Sequence, residues 1–575
     1  MPMTNIPDLL KPEEFEPIAH ALDRLSSSGQ EDRGAIFTKR EVVCFILSLV
    51  GYTSQKELYL KRILEPSFGH GEFLVEIVNR LLKKFTQDFD PPTIKSETLD
   101  LLKSSIRAVE LHRDSFEHVK LKLLNRLEEA GFSNHNARSI VDAWLQCGDF
   151  LFSDLNSSSF DFVVGNPPYV RQEAIPNVLL KEYRKRFLTM CDRADLYVAF
   201  TEKSLSLLGK NGLLGFICAD RWTKNKYGRP LRELISRDYH LEHYISMTDA
   251  DAFHQEVSAY PSVAVIKRAK GTRTRIAKLD RNLSELRNLV KEIKAKSLAN
   301  TAHIQEIEGV DRNGAPWILN TDPTTNLVRR LESELPLVEQ AGAEVRIGVA
   351  TGADRIYTQP FASLAVEPGR KLKLAVTRDI KNGSIQWTGT GIVNPFLENG
   401  SLAAFDKFPR MAKFFRDHEL AIKGRNVAKR NAKNWYRTID RIYPQLATVP
   451  KLLIPDIRGE ATIVYEDLGL YPHHNFYFIT STTWDLRVLQ AVLLSGLARL
   501  FVGAYTTKMR GGYLRYQAQH LRRIRIPWWN SLDQPCRSRL RDAAIALDSK
   551  SSSAIVAKLL GLSNTERSAL EGSIP

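Results

Sequence analysis

The sequence predicts an α/β fold, doubly wound, followed by a second domain of α+β texture. Three observations predict it. Between residues 34 and 270, short apolar runs alternate with stretches whose apolar residues recur at helical spacing, the pattern of strands and crossover helices. Residues able to do chemistry fall at the ends of those runs, where open α/β sheets bind ligands. After about residue 331 the alternation gives way to short β-like runs broken by Gly, Pro and Asn, as in "VRIGVATGADRIYT" and "YPHHNFYFITS".

The elements follow in order. Residues 1–33 are polar and read as a lead-in. In "TKREVVCFILSLV", Val42, Val43, Ile46, Leu47 and Val50 share one helical face, and Thr38 with Glu41 matches a capping box. "RILEPSFGHGEFLVEIVNRLL" reads as strand, glycine-containing loop and helix. "IRAVEL" is the next strand, a helix spans Leu111 to Ala130, and "VDAWLQCGDFL" runs into a third strand end. Phe160 to Val164 is a buried strand. "DLYVAFTEKSLSLL" is helical, "GLLGFICAD" is a strand, "RWTKNKYGRPLRELI" is basic, and "YPSVAVIKRAK" closes the region as a strand. Residues 271–330 lose the alternation and place Leu283, Leu286, Val290 and Ile293 on one helix face. They are expected to form a helical connector between a domain of residues 34–270 and a domain of residues 331–575.

Composition narrows the function. The five cysteines lie far apart and form no CxxC pair, which excludes a cysteine-based zinc site or a disulfide framework. His473 and His474 have no partner ligands at sequence spacing, so no metal is expected. No secretory signal and no uninterrupted apolar run of spanning length is present, so a membrane role is not expected. A formal charge of +15 favours a polyanionic partner, nucleic acid before membrane.

Four motifs carry the chemistry. Gly69 and Gly71 lie between a strand and a helix, where the backbone can approach a ligand. The loop is neither a P-loop nor a GxGxxG fingerprint. Glu110 closes the next strand and can accept from both hydroxyls of a ribose. Asp149 and Phe150 close the third, a carboxylate for an exocyclic amine beside a ring for a purine face. "NPPY", Asn166 to Tyr169, follows the fourth. Two prolines fix the backbone twice and remove two donors, leaving an amide, rigid carbonyls and an aromatic ring suited to gripping a planar amine. Each motif also occurs as an ordinary turn; their order along one sheet does not.

With these motifs the chain resembles the gamma-class N6-adenine DNA methyltransferases, the TaqI-like group with a C-terminal specificity domain. The likeness runs from "FTKREVV" to "YPSVAVIKR" and again through "IGVATGADRIY" and "GGYLRYQAQHLRRIRIP". It implies a Rossmann-like methyltransferase sheet plus a C-terminal α+β DNA-recognition domain. It implies S-adenosyl-L-methionine as cofactor, contacted by Thr38, Glu65, Pro66, Ser67, Phe68, Gly69, Gly71, Glu110, Asp149, Phe150 and Pro168. Asn166, Pro167 and Tyr169 would hold the target base, with Phe253 as a second aromatic face. The chain departs from many relatives in having "PSF" where they have Pro-Ala-Cys, and residues 83–103 look inserted.

The second domain is expected to read double-stranded DNA. "KGRNVAKRNAKNWYR" and "YTTKMRGGYLRYQ" combine cations, amides and aromatics, which singles out Lys423, Arg425, Lys429, Arg430, Arg510 and Arg515. Cytosine N4 methylation could use the same corner, although its usual motif begins with Ser. A protein-glutamine methyltransferase would lack so large a basic second domain, and an inactive specificity subunit would not need the intact motifs. With no PD…ExK arrangement and only about thirty residues ahead of the first motif, any restriction endonuclease is expected to be separately encoded. The resemblance implies a cytoplasmic, nucleoid-associated protein of a prokaryote.

Overall fold

The computed structural model describes residues 12–29, 34, 36–155, 159–254, 260–279, 283–295, 297–298, 301, 303–311, 313–458, 462–506 and 514–573. The chain divides into two compact units, Met1–Asp322 and Pro323–Pro575.

The first unit is built on a nine-stranded sheet. Its strands are β1 (Ile63–Glu65), β2 (Ile106–Glu110), β3 (Leu145–Cys147), β4 (Phe160–Gly165), β5 (Leu208–Ala219), β6 (His240–Ser246), β7 (Pro261–Lys267), β8 (Thr274–Lys278) and β9 (Ile304–Ile307). Their order is β3-β2-β1-β4-β5-β7-β6-β8-β9. The first five are parallel, and β7 runs antiparallel between β5 and β6. The chain moves outward from β1 through β2 to β3, then returns to place β4 on the other side of β1. That reversal opens a crevice at the strands' carboxyl ends.

Alternation along the strands fills two cores. Ile63, Ala108, Phe162 and Val164 join one cluster, while Leu64, Val109 and Val163 join the other, as a side-chain period of two requires. Helices α1 (Pro12–Ser26), α2 (Arg40–Leu49), α3 (Glu72–Asp88), α4 (Ser96–Ser105), α5 (Arg113–Glu129), α6 (Asn134–Trp144), α7 (Asn177–Arg186), α8 (Tyr197–Leu207), α9 (Arg229–Asp238) and α10 (Leu286–Ile293) complete the unit. Burying each Val or Leu of these cores contributes roughly 1.5–3 kcal/mol. Residues 83–103, expected to be an insertion, carry the end of α3 and most of α4, and Trp144 Nε1 locks α4 down by donating to Leu102 O at 2.8 Å.

Two expectations change here. Residues 271–330 are not only a helical connector: β8 pairs with β6 and β9 with β8, extending the sheet. Arg275 ties this extension together, donating to Glu306 at 2.9 Å and to Ile293 O at 2.7 Å. Lys294, just after α10, donates to Ser48 O and Leu49 O, both at 3.0 Å, at the end of α2. The lead-in also contains α1, whose Ile18, Ala21 and Leu22 are buried in the core that holds Leu179 and Tyr183 of α7.

The second unit is α+β. One antiparallel sheet joins Ala343–Ile347, Phe476–Ser481, Lys451–Pro455 and Val464–Glu466, and a mixed sheet joins Thr358–Pro360, Thr390–Val393, Lys371–Ala375 and Tyr471–Pro472, the last pair parallel. Lys451 and Glu466 form a fully buried ion pair at 2.6 Å. It tolerates burial because Lys451 also donates to Ala447 O and Glu466 accepts from Leu470 N. Among the described residues, the helical run Leu486–Tyr505 is long and apolar enough to cross a membrane, but 83% of its apolar window is buried within the fold, which marks a core helix.

Candidate active site

Asn166 follows β4 directly. Its Nδ2 donates to Ile36 O at 2.9 Å and to Thr38 Oγ1 at 3.2 Å. Its Oδ1 is buried with no protein partner. An amide has two donors and one acceptor oxygen. Here both donors are anchored and the acceptor is left without a protein partner. Thr38 was expected to cap α2. Instead Lys39 occupies the cap position with no side-chain cap bond, and Thr38 turns its hydroxyl to Asn166.

The same N-terminal segment holds the aromatic part of the corner. Thr38 forms an antiparallel bridge with Phe253, flanked by Lys39 N to Ala252 O at 3.0 Å and His254 N to Phe37 O at 3.1 Å. Phe253 meets Tyr169 edge to face, centroids 6.3 Å apart and planes at 89°. Tyr169 N donates to Gly34 O at 3.1 Å. Gly34 has φ +58°, and a Cβ there would lie 2.6 Å from Tyr169 C, so only glycine fits.

Beside this corner a cleft opens at the ends of β1, β2 and β4 and beyond the end of β3. Thr38, Glu65, Pro66, Ser67, Phe68, Gly69, Glu110, Asp149, Phe150, Asn166 and Pro168 line it. Gly71, Pro167, Tyr169 and Phe253 do not. Gly71 instead starts α3 with φ +86°, and a Cβ there would press Val119 at 3.0 Å.

Four carboxylates face this cleft, from Glu65, Glu72, Glu110 and Asp149, and no Lys, Arg or His lines it among the described residues. In a chain of formal charge +15 that is a marked local reversal. Glu65 is 2% exposed and its Oε2 has no partner. Burial first, then Glu72 and Glu110, push its carboxyl well above the usual range. Glu110 accepts from Gly69 N at 2.7 Å and from His112 N at 2.8 Å, which fixes the carboxylate and the glycine loop together. Asp149 accepts from Leu151 N at 2.6 Å and from the Tyr183 hydroxyl. Beneath it the Lys203 ammonium donates to Phe150 O and Ser153 O, both at 2.6 Å. Burial pulls the Lys203 pKa down to about 8.

Several of these residues escaped the sequence reading. Glu72 directly follows Gly71, so its place at the helix start was a usable signal. Leu25 of α1 also lines the cleft, and the spacing Ile18, Ala21, Leu22, Leu25 marks its helix face. Phe37 stacks on His70, centroids 4.1 Å apart at 18°, and lines the cleft as well. Tyr183 and Lys203 lie 34 and more residues from Asp149 and carry no local signal.

The basic candidates in the second unit separate. Arg425 is committed internally: its guanidinium donates to Thr351 O at 2.6 Å and to Trp435 O and Arg437 O at 2.9 Å. It therefore cannot serve as the phosphate contact expected of it. Arg515 pairs with Asp456, and Lys423 pairs with Glu419 at 2.5 Å. Lys429 and Arg430 are exposed at the end of the short helix Asn426–Arg430. Arg510 lies outside the described residues.

A cleft at the carboxyl ends of a doubly wound sheet, with a buried amide acceptor beside it, is the fold and site of the methyltransferase class that comparison with known proteins shows. Residues 46–253 match the family described as Eco57I restriction-modification methylase. Over 97% of both chains the protein is 50% identical to the type II methyltransferase M.PaeR7I of Pseudomonas aeruginosa. It is 48% identical to M.XhoI of Xanthomonas vasicola over 93% of this chain and 98% of that one. The fold is shared with the type IIL restriction-modification enzyme MmeI, solved in complex with DNA, at a TM-score of 0.51 and 12% identity over 96% of this chain and 77% of that one. The chain belongs to the type II DNA methyltransferases of restriction-modification systems.

Proposed function

We propose that the protein transfers a methyl group from S-adenosyl-L-methionine to N6 of an adenine flipped out of a specific DNA site, as the gamma-class, TaqI-like enzymes it resembles do. The observation that carries this reading is Asn166, whose anchored Nδ2 leaves Oδ1 as a buried, oriented acceptor.

The cleft fits the cofactor. A buried, unpartnered carboxylate at Glu65 and a lining whose charged side chains are all acidic call for a cationic ligand, and the cofactor carries an ammonium and a sulfonium. Glu65 suits the ammonium, Glu110 the ribose hydroxyls, and Asp149 with Phe150 the adenine. When bound, the cofactor supplies an electrophilic methyl group. The chain's residues prepare the nucleophile. Adenine N6 is a weak one because its lone pair is delocalised into the ring. Asn166 Oδ1 and the Pro167 carbonyl each accept one N6–H and hold the nitrogen toward tetrahedral geometry, freeing the lone pair. With its two hydrogens held by these acceptors, N6 would meet the methyl group as a nucleophile, and the sulfur that gives up the methyl would keep the bonding pair. The N6 proton then leaves to solvent. The two prolines keep the acceptors in place, so little reorganisation is needed at the moment of reaction. Tyr169 and Phe253 receive the extruded base, offsetting the few kcal/mol that flipping costs.

The second unit is the candidate sequence reader. Cytosine N4 is the second reading, since the corner would grip either amine; Asn at position 166, rather than Ser, favours adenine. The protein is proposed to act in the bacterial cytoplasm, with any restriction endonuclease a separate chain. Sequencing that distinguishes N6-methyladenine from N4-methylcytosine in DNA from a host expressing the protein tests the reading. Modification on cytosine alone would overturn it, and purified protein is expected to leave plasmid DNA uncut with Mg²⁺ and cofactor.

A further inference from the structure

We infer that Asp354, His473 and His474 form a divalent transition-metal site of the zinc type in the second unit. The two histidines, without a partner at sequence spacing, gain one by folding, from 119 residues earlier. Val349 makes a parallel bridge with His473, His474 N donates to Val349 O at 3.0 Å, and His473 N donates to Ala375 O at 3.1 Å. These bonds lay both rings against the loop that ends at Asp354. Gly348 permits the approach, because a Cβ there would lie 2.1 Å from His473 O.

The distances fit one ion. His473 Nε2 is 3.2 Å and His474 Nδ1 is 3.6 Å from Asp354 Oδ2, and the ligand atoms of the three residues lie within 4.8 Å of one another. Tetrahedral zinc with bonds of about 2.0–2.1 Å spaces neighbouring ligand atoms about 3.3–3.4 Å apart. A hydrogen-bonded Asp354–His473 pair alone would explain the 3.2 Å distance. It does not explain His474 Nδ1, a buried ring nitrogen with no hydrogen-bond partner, facing the same carboxylate from beyond hydrogen-bond range. Asp354 Oδ1 accepts from the Thr351 hydroxyl at 2.5 Å, the outer interaction that orients a ligating carboxylate. Two imidazoles and one carboxylate favour Zn²⁺ over Mg²⁺ or Ca²⁺. Asp354 and His474 side chains are 41% and 38% exposed, so solvent can supply a fourth oxygen. The bound ion would clamp the Val349–Asp354 loop, whose Thr351 carbonyl also holds Arg425.

The inference stands apart from the methyl-transfer reading and is tested by metal alone. Untagged full-length protein is stripped with chelator, then titrated with Zn²⁺ by calorimetry and with Co²⁺ by visible absorption. One equivalent of Zn²⁺ per chain, a tetrahedral Co²⁺ spectrum and a metal-dependent rise in Tm are expected. His474→Ala and Asp354→Asn should each weaken Zn²⁺ by at least the roughly 10–100-fold that losing an outer partner costs. Thr351→Val should weaken it while leaving all three ligands. Absence of stoichiometric Zn²⁺ overturns the site, as does His474→Ala binding that matches the wild type, which would place the ion elsewhere.

Discussion

Asn166 donates through Nδ2 to the hydroxyl oxygen of Thr38, 3.2 Å away and 128 residues earlier in the chain. With the bond to Ile36 O, it decides which end of the amide is left without a protein partner, the Oδ1 end. Asn166→Ala should lower the methylation rate by roughly 10²–10³ with cofactor affinity unchanged. Thr38→Val should lower kcat less, because Ile36 O still anchors the amide. Single-turnover methylation with calorimetric cofactor binding checks both, and wild-type rates in Asn166→Ala would refute the mechanism.

Tyr183 holds one oxygen of Asp149 while Leu151 N holds the other. Tyr183→Phe removes a hydrogen bond to a charged group, worth about 1.5–3 kcal/mol, so cofactor affinity should fall about tenfold or more. Asp149→Ala should weaken it further. Unchanged affinity in both, measured by calorimetry, would show the adenine site to be misplaced.

Glu65 makes stability and binding respond to pH in opposite senses. Its carboxyl is raised in the folded protein by burial and by Glu72 and Glu110, so the folded state holds the proton more tightly than the unfolded state. Stability of the free protein should therefore fall as pH rises from the ordinary carboxylate range through that raised value. Cofactor affinity should rise over the same window, because a cation favours the ionised carboxylate. Glu65→Gln should flatten both profiles and weaken binding at neutral pH. Tm and Kd measured at successive pH values, from the ordinary carboxylate range upward, check the sign.

Arg425 and the pair Lys429/Arg430 should fail differently. Replacing Lys429 and Arg430 by Ala should flatten the log–log salt dependence of DNA binding by about 0.9 for each phosphate no longer neutralised and leave Tm unchanged. Arg425→Ala should lower Tm, since Thr351, Trp435 and Arg437 lose the donor to their carbonyls. If the double variant keeps the wild-type salt slope, the DNA-reading face lies elsewhere.

The parallel strands were legible because Ile63–Leu64, Ala108–Val109 and Phe162–Val163 are apolar on both faces, as a sheet covered on both sides demands. Glu65, Glu110, Asp149 and Asn166 were legible because strand ends are fixed positions in this architecture. β8 and β9 were not, since "TRIAK" and "IQEI" are short segments near and at the sheet's edge whose identity comes from pairing with β6 and with each other. Thr38 was misread for a related reason: a Thr before a helix is a cap by local rules, and only the return of Asn166 makes it an anchor. Long-range partners such as Tyr183 and Asp354 leave no trace in local pattern.

The hydrogen bond from Tyr169 to Gly34, with the glycine that permits it, gives the leading segment a second use. α1 buries Ile18 and Leu22 against α7 and reaches the cleft through Leu25, so the leading segment meets both the cleft and Tyr169. A fluorophore on an exposed α1 position such as His20 would report cofactor and base occupancy without touching a catalytic group. Conversely, any bulky residue at position 34 would act as a wedge, forcing Tyr169 away from its stacking place. Gly34 also lines the cleft, so on the proposed reading a bulky residue at this one position should disturb base capture and cofactor loading together.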